Sequence, residues 1–353
     1  MTHARFNIGF LTIILAFMTF QVGTNYYYDH YGIYGHNLSG KPPINFNQRH
    51  GKIAYLEKHK GEYNAYLLGS SRVGHFDNNK LSADASQAMR QDLNFYNLSV
   101  FSGVPSDYLN FLTYLKDHDH PMDHVLIGLD VYPLFLPPDL NKPDFRHHPH
   151  VTGENSISFY VSYLFRTSFL YLATEAGYFF GESPAIYAHD ITNGTYLPER
   201  TISALKNDFS GYWKEETKKA QKGAKVFSTT QHLIDPSQQE SLNKLVAWLK
   251  ENKVSYQIFV NPLHPLNDAY YSITEKLAFE DALAEARIDI FHQLPNMDCL
   301  LADNNNFYDL MHYKQSIANE IVNSLYRPGS TQECGTVKLA DTFFGNSLSQ
   351  ERR

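Results

Sequence analysis

Two short segments of the chain hold residue types able to carry nucleophilic catalysis. One reads Asn306-Phe307-Tyr308-Asp309-Leu310-Met311-His312-Tyr313, the other Tyr66-Leu67-Leu68-Gly69-Ser70-Ser71-Arg72-Val73. A serine hydroxyl is a weak nucleophile until a base takes its proton. An Asp and a His three residues apart share one face of a helical turn, so Asp309 can hold the His312 imidazole in the tautomer that a serine needs. The combination predicts Ser-His-Asp hydrolytic or acyl-transfer chemistry at Ser71. Ser70 is the alternative nucleophile, because the sequence does not fix the turn.

The elements around these residues must deliver them to one place. Ala65 to Leu68 is a short apolar run of the buried-strand kind, and Gly69 permits a sharp turn after it. Ser71 would then emerge at the carboxyl edge of the strand, where open α/β sheets bind ligands and where a helix N-terminus offers N–H groups to an oxyanion. Leu81 to Leu93 reads as a helix and Leu93 to Val100 as a second strand. Ser106 to Lys116, capped by Ser106 or Asp107, reads as the next helix and His124 to Leu129 as a third strand. The alternation implies right-handed crossovers and a parallel sheet. It resumes with the Leu242, Leu245, Val246 and Leu249 stripe of a helix over 239–252, a strand over 254–260, a helix over 268–286 and a short strand over 288–291. A last helix carries Ile317, Ile321, Val322 and Leu325. Asn261 and His264, just past the 254–260 strand, would lie at the same carboxyl edge as Ser71 and can line a pocket there.

A Gly-x-Ser turn after the first strand, with Asp-x-x-His close to the end of the domain, resembles the SGNH (GDSL-like) hydrolase superfamily. Within it, Gly69-Ser70-Ser71-Arg72 and Phe307-Tyr308-Asp309-x-x-His312-Tyr313 are most similar to the membrane-anchored branch that includes DltD-like and alginate-acetylation proteins. The resemblance runs through short blocks between residues 60 and 325. It implies a three-layer α/β/α domain in which Ser71 is the nucleophile, His312 the general base and Asp309 the orienting acid. It further implies that Gly103 gives its N–H to an oxyanion hole. The third block departs from the pattern, reading Gly128-Leu129-Asp130 where typical members have Gly-x-Asn. An ionised Asp130 aimed at an oxyanion would repel it.

Bulk properties narrow the partners. With 353 residues the chain can bury one large α/β core, and a formal net charge of -7 without a long basic run argues against nucleic acid. Phe6 to Val22 is apolar, preceded by Arg5 and followed by polar residues and three tyrosines. A secretory signal peptide has a similar flank, but no clear small-residue cleavage site follows, and Tyr26 to Tyr28 suit an interfacial belt. The expectation is an uncleaved single-pass anchor in a cell inner membrane, with everything after residue 25 on the extracytoplasmic, periplasmic side. The expected divisions are an anchor (1–25), a linker (26–60), the catalytic domain (61–327) and a tail (328–353). Cys299 and Cys334 are the only cysteines and can pair in an oxidising compartment.

Residues 133–237 lose the strand-helix alternation and read as an aromatic-rich insertion. Its 158–180 stretch, interrupted by Arg166 and Glu175, suits an amphipathic helix or helix pair that covers the sheet or faces a membrane partner. Two clusters compete with the triad as chemistry: His147, His148 and His150 near Asp144, and Asp117-His118-Asp119-His120 with Asp123 and His124. Neither has the i, i+4 spacing that aims two ligands at one point, so both are read as solvated loops and no metal or other cofactor is expected. Together with the resemblance, these observations predict an O-acyltransferase or acylesterase. It would act on an envelope or secreted polysaccharide, beside a membrane-bound O-acyltransferase. The alternative is a catalytically degenerate scaffold that binds a glycan or such a transferase through its aromatic insertion, for example at Tyr160 or Phe165.

Overall fold

A computed structural model of the chain describes residues 3–166, 187–227, 233–288 and 291–327, apart from 37, 40–42, 44, 293, 295 and 296. The chain divides into two units, residues 1–57 with 139–186 and residues 58–138 with 187–353.

The second unit is α/β. Five strands, β1 (Ala65–Gly69), β2 (Phe95–Asn97), β3 (His124–Leu129), β6 (Ser255–Val260) and β7 (Phe291–His292), lie in the order β2-β1-β3-β6-β7, and every pairing is parallel. Two more, β4 (Ala188–Asp190) and β5 (Thr195–Leu197), form an antiparallel hairpin. β1 and β3 are buried along their whole length, as strands covered on both faces must be, which is why they read as unbroken apolar runs. Ala65, Leu67, Leu126 and Phe259 join one core with Leu81 and Ala85 of the Asn78–Met89 helix and Ile317, Ile321 and Val322 of the Gln315–Tyr326 helix. Their neighbours Tyr66, Leu68, Val125 and Ile127 point to the opposite face and are equally buried. The Pro105–Asp117 and Pro236–Glu251 helices pack on each other and bury Phe111, Leu112, Leu115, Leu242, Leu245 and Leu249.

Helix boundaries follow side-chain caps that the apolar pattern does not show. Asp77 accepts the N–H groups of Asn79 and Lys80, so the third helix starts at Asn78 rather than Leu81, and it ends where Arg90 turns left-handed at φ 54°. Asp235 starts the Pro236–Glu251 helix in the same way. At Pro105 neither Ser106 nor Asp107 is the cap; Asp107 sits inside the helix and its carboxylate reaches back to the Val104 N–H at 3.0 Å.

The first unit begins with a helix, His3–Tyr28, long and apolar enough to cross a membrane, about 39 Å at the α-helical rise. Phe6, Ile8, Leu11 and Phe17 stand exposed along it. Asn25, near its end, donates to Leu164 O of the Ser156–Arg166 helix at 2.7 Å. Asp29 gathers the N–H groups of Ile33, Tyr34 and Gly35, and Ile33 packs with Phe159 and Tyr163. Asn47 donates to the Pro143 and Arg146 carbonyls at 2.9 and 2.8 Å. Residues 26–57 are therefore no free linker. Their described residues fall in one compact unit with 139–166, the first part of the expected insertion, while 187–227 and 233–237 fall in the unit that holds the sheet. Glu175, Cys334 and the tail after 327 lie outside the described residues.

His124 opens β3 instead of lying in a solvated loop. It is 1% exposed, with Nδ1 3.0 Å from Ser255 Oγ and Nε2 2.9 Å from the Tyr326 hydroxyl. His118 stacks on Tyr114 with ring centroids 4.2 Å apart. Burial pushes the His124 imidazole from 6.5 down to about 4. The unfolded chain then binds more protons between those values, so the stabilisation is complete above pH 6.5 and is lost as pH falls toward 4. The melting temperature of the full chain should fall over that range, and His124→Asn should make the fall shallower. An unchanged slope in the variant would contradict the assignment.

Candidate active site

The sheet order places a topological switch at β1, because the chain leaves β1 to one side for β2 and returns to the other side for β3. Ligand sites of open parallel sheets form outside the strand ends at such a point. Ser71 lies there, two residues past the end of β1, as the first residue of a 3-10 turn, Ser71–His75. The first residue of such a turn has an N–H with no acceptor inside the turn. Ser70 precedes it as the cap, buried, with its hydroxyl accepting from Arg72 N at 3.3 Å. Ser71 therefore, not Ser70, carries the hydroxyl that meets the histidine.

His312 Nε2 is 2.8 Å from Ser71 Oγ, and both Asp309 oxygens are 2.9 Å from His312 Nδ1. The Asp309–His312 pair does not sit on a helical turn, as its spacing suggested. It lies in a tight loop closed by a bridge between Phe307 and Tyr313 and by the Tyr308 N–H on His312 O. Asp309 folds this loop itself, since Oδ1 accepts the Met311 and His312 N–H groups at 2.7 and 2.9 Å. Burial alone would raise the Asp309 carboxyl. The His312 imidazole and those N–H groups together outweigh burial and hold it below the usual value, so it stays ionised to stabilise an imidazolium.

Three side chains pin the loop from outside. Asn267 donates to Leu310 O at 3.1 Å, Tyr313 donates to Asn261 Oδ1 at 2.6 Å, and Arg72 Nε donates to Met311 O at 2.9 Å. Arg72 also settles where Asp130 points. Its Nη1 is 2.6 Å from Asp130 Oδ1, and both side chains are 3% exposed. Asp130 thus faces a guanidinium, and its charge is compensated there.

Sequence reasoning missed the hairpin. Asn193-Gly194, the strongest short-range hairpin dipeptide, was the available signal. The Asn193 carbonyl accepts Asn97 N–H at the end of β2, and a Cβ on Gly194 would fall 2.0 Å from Asn97 O. So docked, β5 delivers Tyr196, whose hydroxyl donates to the Ser71 carbonyl at 2.6 Å. Gly74 makes room for that ring, since its Cβ would fall 2.1 Å from Tyr196 Cε1. His75 Nδ1–H donates to Tyr196 O at 2.7 Å, and the His75 ring stands edge-on to His312, 6.0 Å away. Burial and then the proximity of His312 push His75 down to about 4, which leaves it neutral beside the triad. Phe101, Tyr187 and His189 extend this aromatic group, half-buried, with ring centroids 4.7 to 6.2 Å apart.

Other expected site residues hold the frame. Gly103 N–H donates to Val100 O at 3.1 Å within a turn; what the position needs is a missing side chain, because a Cβ would lie 2.5 Å from Gly69 O. Asn261 is buried behind the loop on Tyr313 and Leu129 O. His264 accepts Leu266 N–H, donates to Asn304 Oδ1 at 3.0 Å and stacks on Trp213.

The arrangement can move a proton from a serine hydroxyl to an oriented imidazole, the first act of acyl transfer. No family model matches the chain, and comparison with curated proteins and with solved structures found no match to either.

Removing one partner of a buried ion pair leaves the other charge uncompensated, at a cost of about 3–5 kcal/mol. Arg72→Met should lower the melting temperature accordingly, and adding Asp130→Asn should restore much of the loss. A single variant as stable as the parent, or a double variant with no recovery, would show that the pair does not brace the site.

Proposed function

We propose that the chain is an SGNH-like serine acyltransferase or acylesterase that acts on a cell-envelope or secreted polysaccharide. The observation that carries the reading is the continuous contact from Ser71 Oγ through His312 to Asp309, at 2.8 and 2.9 Å, outside the end of β1. The motif resemblance and the strand order β2-β1-β3-β6-β7 are compatible with it.

In this mechanism His312 Nε2 takes the Ser71 proton as Oγ attacks an ester carbonyl, and Asp309 stabilises the imidazolium. The tetrahedral oxyanion rests on the Ser71 N–H at the start of the 3-10 turn. Collapse expels the alcohol, which receives the proton from His312, and leaves an acyl-serine. Water then resolves it in an esterase, and a sugar hydroxyl does so in a transferase. The half-buried rings of Phe101, Tyr187 and His189 offer a sugar ring apolar faces beside the serine. The His3–Tyr28 helix supports a membrane anchor, and an extracytoplasmic catalytic unit beside a membrane-bound O-acyltransferase fits a polymer acceptor.

A binding scaffold without turnover is the second reading. It is favoured by one observation: the Gly103 N–H, a donor expected for the oxyanion, is committed to Val100 O.

The full chain in detergent, treated with a fluorophosphonate, should gain one adduct on Ser71 by mass spectrometry, absent in Ser71→Ala and His312→Ala. Asp309→Asn should slow turnover of an acetyl ester by roughly 10^3 to 10^4 with the fold retained. Absence of an adduct from the folded parent would leave the scaffold reading.

A further inference from the structure

The Gln48–Lys58 helix carries His50 and Glu57 seven residues apart, two turns along one face. A second segment of the same unit brings two more imidazoles to that face. Pro149 starts a one-turn helix, Pro149–Thr152, with His148 as its cap. The turn folds His150 back on its neighbour, so that the His148 and His150 ring centroids are 4.8 Å apart. The i, i+2 spacing of His148 and His150, which argued against convergence in the sequence, brings the two rings together through this turn.

Glu57 Oε1 lies 2.6 Å from His150 Nδ1 and 3.7 Å from His148 Nδ1. One donor atom from each of the three residues lies within 4.8 Å of the others. A hydrogen bond between Glu57 and His150 would explain one of these distances but not the gathering of a third and a fourth group. His50 is the fourth: its ring centroid is 4.7 Å from that of His148, and Nε2 is 3.3 Å from the Tyr160 hydroxyl. His50 is 2% exposed, yet its Nδ1 has no hydrogen-bond partner, an arrangement that native interiors avoid.

We propose that Glu57, His148 and His150 bind a divalent transition-metal cation, with Zn2+ the best match. Two imidazoles and one carboxylate form a donor set that zinc uses with one position left to water. Too few oxygens converge for Ca2+ or Mg2+, and nitrogen donors favour the later first-row ions. The water position would open on the His150 side, where that side chain is 52% exposed while His148 is 3% exposed. Because the ligands come from segments about ninety residues apart, the ion would fasten the 139–166 segment to the Gln48–Lys58 helix.

The test uses the full chain in detergent, stripped with a chelator, incubated with Zn2+ alone and desalted before elemental analysis. The parent should retain one zinc per chain and melt at a higher temperature with zinc than without. His150→Ala and Glu57→Gln, each checked for folding by circular dichroism, should weaken binding at least tenfold and lose the thermal shift. His312→Ala should retain zinc, which separates this site from binding at the triad. A parent that retains no zinc, or His150→Ala and Glu57→Gln variants that retain as much as the parent, would overturn the proposal.

Discussion

The contact between Arg72 and Asp130 organises the carboxyl end of the sheet, where Ser71 and His312 meet. Two opposite charges this well buried have no solvent to substitute for either partner, so their separation is fixed far more strictly than that of a surface pair. Arg72 belongs to the turn that carries Ser71, and Asp130 follows the end of β3, so the pair ties adjacent parallel strands together at their carboxyl ends. The same guanidinium holds Met311 O, next to His312. One side chain thereby sets the relation between the Ser71 turn, the His312 loop and the end of β3.

Much of this end of the molecule was legible in the sequence, for a physical reason. β1 and β3 are buried on both faces and spell continuous apolar runs; the helix with Leu242, Leu245, Val246 and Leu249 spells its stripe; and Ser71, Asp309 and His312 are of types that chemistry restricts. The details that escaped are those in which backbone and side chain bond locally. Asp309 and His312 are three residues apart in a helix and equally so in a loop folded around a carboxylate, and only the N–H groups of Met311 and His312 distinguish the two. Asp130 read as a defect when considered alone. Its complement, Arg72, stands beside Ser71 in the turn after β1, and pairing the two required knowing that β1 and β3 are neighbours.

The first unit was the least legible because it lacks a period. Asn and Tyr residues build it by bonding to backbone groups far along the chain, as Asn47 does with Pro143 and Arg146 and Tyr34 with Tyr160. Such bonds leave no repeating trace in either partner segment, so residues 26–57 resembled a linker and 139–166 an insertion. Its folding must also wait for residues nearly a hundred positions apart to meet, whereas β1, β2 and β3 assemble from consecutive segments.

The hairpin tip at Asn193-Gly194 has a second consequence. β2 is the outer strand of the sheet, and an unpaired outer strand offers its N–H and C=O groups to any other extended chain. By taking the Asn97 N–H, Asn193 closes that template at its carboxyl end, and the close approach of Gly194 leaves no room for another strand beside Asn97 O. The hairpin that brings the Tyr196 hydroxyl to the Ser71 carbonyl thus also shields the outer strand from pairing with another extended chain, so one element serves both the edge of the sheet and the surroundings of Ser71.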